Sequence, residues 1–229
     1  MKVIIATIKS WNIDFAKQLK NNNRNVHNII IISNRNDLTI DYIREFDPDY
    51  IFFPHWSYII PAEIFENYKC VVFHMTDLPY GRGGSPLQNL IVRGHKETKI
   101  SAIAVTQGLD EGPIYFKENL SLDGSADEIF RRASQIIFEK MIPRFLDENI
   151  EAVPQEGEPV IFKRRKPAES ELQESFSLNQ IYDYIRMLDA EGYPNAFFKF
   201  GNYKLQFTNA SYDGTELRAN VVIREVEDE

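Results

Sequence analysis

The chain has 229 residues, enough for one large domain or for one domain with a small appendage. Hydrophobic residues make up 43%, which predicts a packed core rather than disorder. A formal net charge of −8 speaks against broad binding to nucleic acid or to an anionic membrane, and the only cysteine, Cys70, leaves no intramolecular disulfide and no cysteine-built zinc site.

The N-terminal "MKVIIATIKSW" carries too short an apolar run for a signal peptide, and no stretch approaches the roughly 20 apolar residues of a membrane helix. A reducing, cytoplasmic location fits one unpaired cysteine. In chain order, Val3 to Thr7 reads as a buried strand. Ile13, Phe15, Ala16 and Leu19 follow at near-helical spacing, and an Asn-rich turn, "NNNRN", is expected to stop that helix. "VHNIIIIS" predicts a second strand, and Leu38 to Phe46 a helix ended by Pro48. "YIFFPHW" is a third strand, "PAEIFENY" a short helix with proline first, and "CVVFH" a fourth strand ending at His74. A helix begins at Ser85–Pro86 and closes at Gly94. "KISAIAVT" and "GPIYFKENLSL" supply further strands. "SADEIFRRASQIIFEKMIPRFLDEN" predicts one long amphipathic helix, with Ser125 and Glu128 as its capping box. After a Pro- and Glu-rich linker come a helix from Asn179 to Leu188 and a β-hairpin turning at Asp213–Gly214.

Strands that alternate with helices imply parallel βαβ units. The predicted fold is α/β: a Rossmann-like, mostly parallel sheet with helices on both faces, plus a small C-terminal helix and β-hairpin appendage. The expected division is a catalytic domain over 1–165 and an appendage over 166–229. In such sheets ligands bind beyond the carboxyl ends of the strands, where both His55 and His74 fall.

His74 opens the loop "HMTDLPYGRGGSP". For a lone histidine the commoner role there is a hydrogen bond to backbone, and an aspartate such as Asp110 in "TQGLDEGPI" is common in turns. Both residues follow strands that can be neighbours in one sheet. A carboxylate beside an imidazole stabilises its protonated form and orients the ring for proton transfer. Gly81, Gly83 and Gly84 permit unusual backbone conformations and close approach of a ligand. The loop is not a phosphate-binding loop, since no Lys-Ser/Thr follows the glycines. The first strand–helix turn, "IKSWNID", has no glycine and disfavours a nicotinamide cofactor.

"FHMTDLPYGRGGSPLQNLI", followed by "KISAIAVTQGLDEGPIYFKENLSL" and preceded by "WSYIIP", resembles the formyltransferase family that uses 10-formyltetrahydrofolate. The likeness runs from about residue 45 to 165. Within that family the chain looks most like short sugar N-formyltransferases, including the pseudaminic acid pathway type. The resemblance implies His74 and Asp110 as the catalytic pair. It implies Trp56, Tyr58, Ile59, Ile60 and Gln107, Gly108, Leu109, Asp110 as the pocket for the pterin ring of the folate. Tyr80, Gly81, Arg82 and Gly83, with the basic stretch Lys163, Arg164, Arg165 and Lys166, become candidates for substrate contact; such a basic run is otherwise a solvated face. One departure stands out. The family's Asn, two residues before the histidine, is Val72 here. That Asn supports the formyl oxygen as it gains charge, and loss of such a donor typically costs about 100- to 1,000-fold in rate. His55 is the candidate replacement.

The expected reaction is therefore formyl transfer from 10-formyltetrahydrofolate to the primary amine of a nucleotide-linked amino sugar, with no metal. The expected partners are that sugar and folate, with no nucleic acid and no membrane; a homodimer is compatible with the resemblance. Two other classes stay open: formylation of an aminoacyl group, on transfer RNA or a carrier, and a non-catalytic folate-binding protein.

Overall fold

A computed structural model describes residues 1–23 and 25–226. The chain forms two compact units. The first comprises 1–83, 98–120 and 131–161, the second 84–97, 121–130 and 162–229. The second unit is thus assembled from three stretches and is wider in sequence than a tail beginning at residue 166.

The first unit is built on a six-stranded sheet. Its strands are β1 (Lys2–Ala6), β2 (Asn28–Ile32), β3 (Tyr50–Phe53), β4 (Cys70–His74), β6 (Glu97–Ala104) and β7 (Ile114–Ser121), with β5 (Tyr80–Gly83) outside it. The order is β2-β1-β3-β4-β6-β7. β1 to β4 pair in parallel, whereas β6 runs antiparallel to β4, with His74 opposite Ser101 and Val72 opposite Ile103. β5 pairs instead with β8 (Val160–Phe162).

The runs of Ile, Val and Phe bury both faces of the central strands, as parallel strands covered on both sides require. Ile4, Ala6, Ile51 and Phe53 pack with Ile43 of helix α2 (Ile40–Phe46) and Ile64 of helix α3 (Ala62–Phe65). On the other face Phe52 meets Phe145, at 5.2 Å between ring centroids. Each such buried Ile or Phe contributes about 1.5–3 kcal/mol.

Helix α1 runs Ser10–Asn23, through the first three asparagines expected to end it. Arg24, in that predicted turn, lies outside the described residues. The long helix expected over 125–149 is two helices, α5 (Ala126–Ile136) and α6 (Ile142–Asp147). A π-helical turn, Ile137–Met141, joins them just before Pro143. Proline has no N–H, and its ring crowds the carbonyl one turn back, so the wider turn relieves both defects. The Ser125–Glu128 capping box is present: Glu128 N donates to Ser125 Oγ and Ser125 N to Glu128 Oε2.

In the second unit, helix α4 (Pro86–Val92) buries Leu87, Leu90 and Ile91 and ties Gln88 Nε2 to the Met187 carbonyl. Helix α7 (Leu178–Arg186) carries a Ser177–Gln180 capping box. The expected hairpin is part of a three-stranded antiparallel sheet, β11-β10-β9, made of β9 (Ala196–Phe200), β10 (Tyr203–Tyr212) and β11 (Leu217–Glu225). Among the described residues no helix is long and apolar enough to cross a membrane.

Candidate active site

The site is assembled at the end of β4. After His74 the chain turns back through Thr76 and Asp77. Ser101 Oγ donates to the Thr76 carbonyl, and Asp77 forms ion pairs with Lys99 and Lys117. The turn delivers β5 beside the histidine. Gly81 and Gly83 sit at φ of +83° and +106°, a region that penalises any side chain. This geometry puts the Gly81 carbonyl oxygen 2.8 Å from His74 Nε2. The other ring nitrogen, Nδ1, faces Asp110 Oδ2 at 3.5 Å. Both ring nitrogens therefore face oxygen atoms, one of a carbonyl and one of a carboxylate. Both side chains are mostly buried, at 10% and 14% exposed.

Asp110 arrives from the loop after β6. Because β6 is antiparallel to β4, that loop must double back to reach His74. Asp110 adopts φ of +54°, and Gly83 N donates to its Oδ2 at 2.9 Å. Gly112 lets the loop close against β6; a Cβ there would stand 1.7 Å from the Ala104 carbonyl oxygen.

Beside Asp110 lies a cavity of about 450 Å³. One wall is apolar, with Trp56, Tyr58, Ile59, Ile60, Val72 and Ile103. The other is the loop Thr106–Asp110, with Gly112. All eight residues expected around a pterin ring are in these walls: Trp56, Tyr58, Ile59, Ile60, Gln107, Gly108, Leu109 and Asp110. Apolar side chains facing a loop of main-chain amides fit a flat heterocycle with an amide edge.

The remaining candidates separate. Val72 packs with Leu78, Ile103 and Ile114 and brings no donor to the wall. His55 is not in the cavity wall. It is held at φ of +51° against α1, where Asn12 Nδ2 lies 3.2 Å from its Nδ1. Asn12 Nδ2 can only donate, so His55 accepts at Nδ1. Burial, then the charge of Lys9, lowers the His55 pKa to about 4, so the ring is neutral. His55 thus joins Asn12 in a buried network with Thr7 and Ser134.

Arg82 is likewise committed internally. Its Nε and Nη2 donate to Gln155 Oε1 at 3.1 and 2.9 Å, and Nη1 lies 3.7 Å from Glu111. These pairings tie β5 to Gln155. Gln155 was not legible, because a glutamine in a Pro- and Glu-rich stretch carries no pattern. Tyr80 is half-buried on β5. Lys163, Arg164 and Arg165 belong to the second unit. There Arg165 donates to the Glu169 carbonyl and lies over the Tyr184 ring, while Lys163 and Arg164 are exposed. Cys70 is a core residue whose thiol burial pushes up to about 12, which removes it as a nucleophile. Among the described residues no group of three His, Cys, Asp or Glu side chains is placed to hold a metal.

Comparison with known proteins decides the family. The profile described as "Formyl transferase" matches residues 36–134, and that described as "Methionyl-tRNA formyltransferase, C-terminal domain" matches residues 167–224. The structure of a methionyl-tRNA formyltransferase from Clostridium thermocellum is 57% identical, with a TM-score of 0.96 over 98% of this chain and 99% of that one. The chain belongs to the formyl transferase family. A curated formyl transferase, the methionyl-tRNA formyltransferase of Rickettsia prowazekii, is 29% identical over 184 residues, covering 78% of this chain. This chain spans 60% of that relative's length. A sugar N-formyltransferase from Shewanella sp FDAARGOS_354 shares the fold, with a TM-score of 0.70 over 91% of this chain and 97% of that one, at only 14% identity.

These findings overturn the expected nucleotide-linked amino sugar, because the formyl transferases far more similar in sequence carry a different name. A nucleotide-sugar contact for Lys163, Arg164 and Arg165 falls with it. A net charge of −8 is a sum over the chain and does not describe a local basic stretch.

Proposed function

We propose that the protein transfers a formyl group from 10-formyltetrahydrofolate to the α-amine of an aminoacyl-tRNA, methionyl-tRNA first among them. The observation that carries the reading is the His74–Asp110 pair, fixed beside a cavity of the shape and polarity of a pterin. The acceptor follows from the likeness to methionyl-tRNA formyltransferases, which extends into the C-terminal unit.

The folate supplies an activated formyl group on a tertiary nitrogen. The cavity walls hold its ring, and Asp110, in the wall and beside His74, joins binding to proton transfer. The attacking amine must be neutral and must lose a proton, while the departing folate nitrogen must gain one. His74 moves that proton, with no covalent enzyme intermediate. Asp110 orients the ring and balances its charge. The neutral ring, with its hydrogen on Nδ1 toward Asp110, takes the amine's proton at Nε2 and passes it to the departing folate nitrogen; while Nε2 carries that proton it faces the Gly81 carbonyl. Val72 offers no donor to the formyl oxygen, so the protonated His74 ring supplies that support as well. In the second unit, exposed Lys163 and Arg164 suit contact with RNA phosphates.

The test is product analysis. Purified protein is mixed with 10-formyltetrahydrofolate and methionyl-tRNA, and the esterified amino acid is released and weighed by mass spectrometry. N-formylmethionine is expected. Folate binding without formyl product on methionyl-tRNA or on a carrier-bound amino acid would make this a folate-binding protein instead.

A further inference from the structure

The stretch 154–159, read from sequence as linker, sends one side chain into the site. Gln155 uses every hydrogen-bonding position of its amide. Its Nε2 donates to the carbonyl oxygens of Asp110 and Gly112, at 2.8 and 2.9 Å. Its Oε1 accepts twice from Arg82, at 3.1 and 2.9 Å. Two donors and two lone pairs are all that the group possesses. The amide's orientation is forced, because carbonyls only accept and a guanidinium only donates.

These hydrogen bonds close a ring around Asp110. Arg82 precedes Gly83, whose N–H holds the Asp110 carboxylate at 2.9 Å. Gln155 holds the main chain of Asp110 and, through Arg82, the same strand β5. Carboxylate and backbone are thereby both referred to β5, the strand whose Gly81 carbonyl faces His74. At φ of +54° Asp110 is in the left-handed region, which aspartate enters more readily than most side-chain-bearing residues but still less readily than glycine, so bonds to its carboxylate and carbonyl help to fix it there.

We propose that Gln155, acting with Arg82, is a positioning residue that sets Asp110 against His74. Neither side chain need touch the reacting atoms. Glutamate at position 155 has nearly the same shape and keeps the pairing with Arg82. It turns both loop-facing donors into acceptors, so it breaks only the hold on Asp110.

The kinetic arm of the test rests on the formyl-transfer reading, and the spectroscopic arm does not. Gln155→Glu is expected to lower kcat about 10- to 100-fold, the scale of a misplaced catalytic group. In an Asp110→Asn background the same change should have no further effect, because one residue acts through the other. The ¹⁵N resonances of the His74 ring should move in Gln155→Glu toward their positions in Asp110→Asn. Multiplicative losses in the double variant would overturn the proposal. So would His74 resonances that stay at wild-type positions in Gln155→Glu while Asp110→Asn shifts them. If the wild-type protein transfers no formyl group, the reading of the reaction fails and the resonances alone decide. Should Gln155→Glu not fold, Arg82→Lys keeps the charge, removes the two-pronged pairing, and is read by the same outcomes.

Discussion

The Gly83 amide nitrogen lies 2.9 Å from Asp110 Oδ2, the same oxygen that faces the His74 ring. One carboxylate oxygen thus joins the glycine-rich strand to the histidine. Asp110→Asn keeps the size of the side chain but removes the charge that balances a protonated His74. It should lower kcat by about 10²- to 10⁴-fold, the range of general acid–base catalysis. Folate binding, measured by calorimetry, should change far less than kcat.

His55 stands outside the cavity wall and is held neutral. His55→Gln should therefore keep turnover within a few-fold of wild type. Its effect belongs to stability. The folded-state pKa of about 4 lies below the ordinary 6.5, so the unfolded chain binds a proton that the folded chain refuses. Stability is present in full above about pH 6.5 and falls as pH drops toward 4. By pH 5 the loss attributable to this residue is about 2 kcal/mol. Denaturant titrations at pH 7.5 and pH 5 should show a smaller difference in His55→Gln than in wild type.

Gly112 has no room for a side chain, since an added Cβ would meet the Ala104 carbonyl at 1.7 Å. Neither group is a flexible side chain, so the loop itself must shift. Gly112→Ala should cost roughly 1–3 kcal/mol of stability, as overpacking does. It should also raise KM for the folate, because Gly112 lines the cavity.

If the acceptor is transfer RNA, exposed Lys163 and Arg164 meet its phosphates. Replacing both with Ala should raise KM for methionyl-tRNA and leave KM for the folate alone. The slope of log affinity against log salt should fall by about one for each phosphate-binding side chain removed. An unchanged slope would mean that the basic stretch is a solvated face.

Much of the first unit is written in local pattern. The isoleucine run of β2 and the "CVVFH" of β4 are short apolar, β-branched stretches bounded by turn residues, which read as strands, β4 largely buried and β2 partly so at the sheet edge. His74 and Asp110 were legible from motif order. Their distance was not, because it depends on β6 reversing direction and on a loop that doubles back. Pro143 breaks a helix whose apolar periodicity continues through it, so the pattern reads as one element. β9 was hidden by its place: "AFFKF" follows a Gly-Tyr-Pro turn and finds its ladder partner in β10, further along the chain, with one bridge back from Phe197 to Glu171. The roles of Arg82 and Gln155 are tertiary facts, created by residues 73 positions apart. Net charge is a whole-chain sum and does not show where the lysines and arginines lie.

The most direct test of the account is the rate of tetrahydrofolate release from 10-formyltetrahydrofolate with and without methionyl-tRNA, in wild type and in His74→Ala. The account predicts release that requires the RNA, matches N-formylmethionine formed, and is abolished in the variant. Release that ignores methionyl-tRNA, or that survives removal of the His74 imidazole, would contradict it.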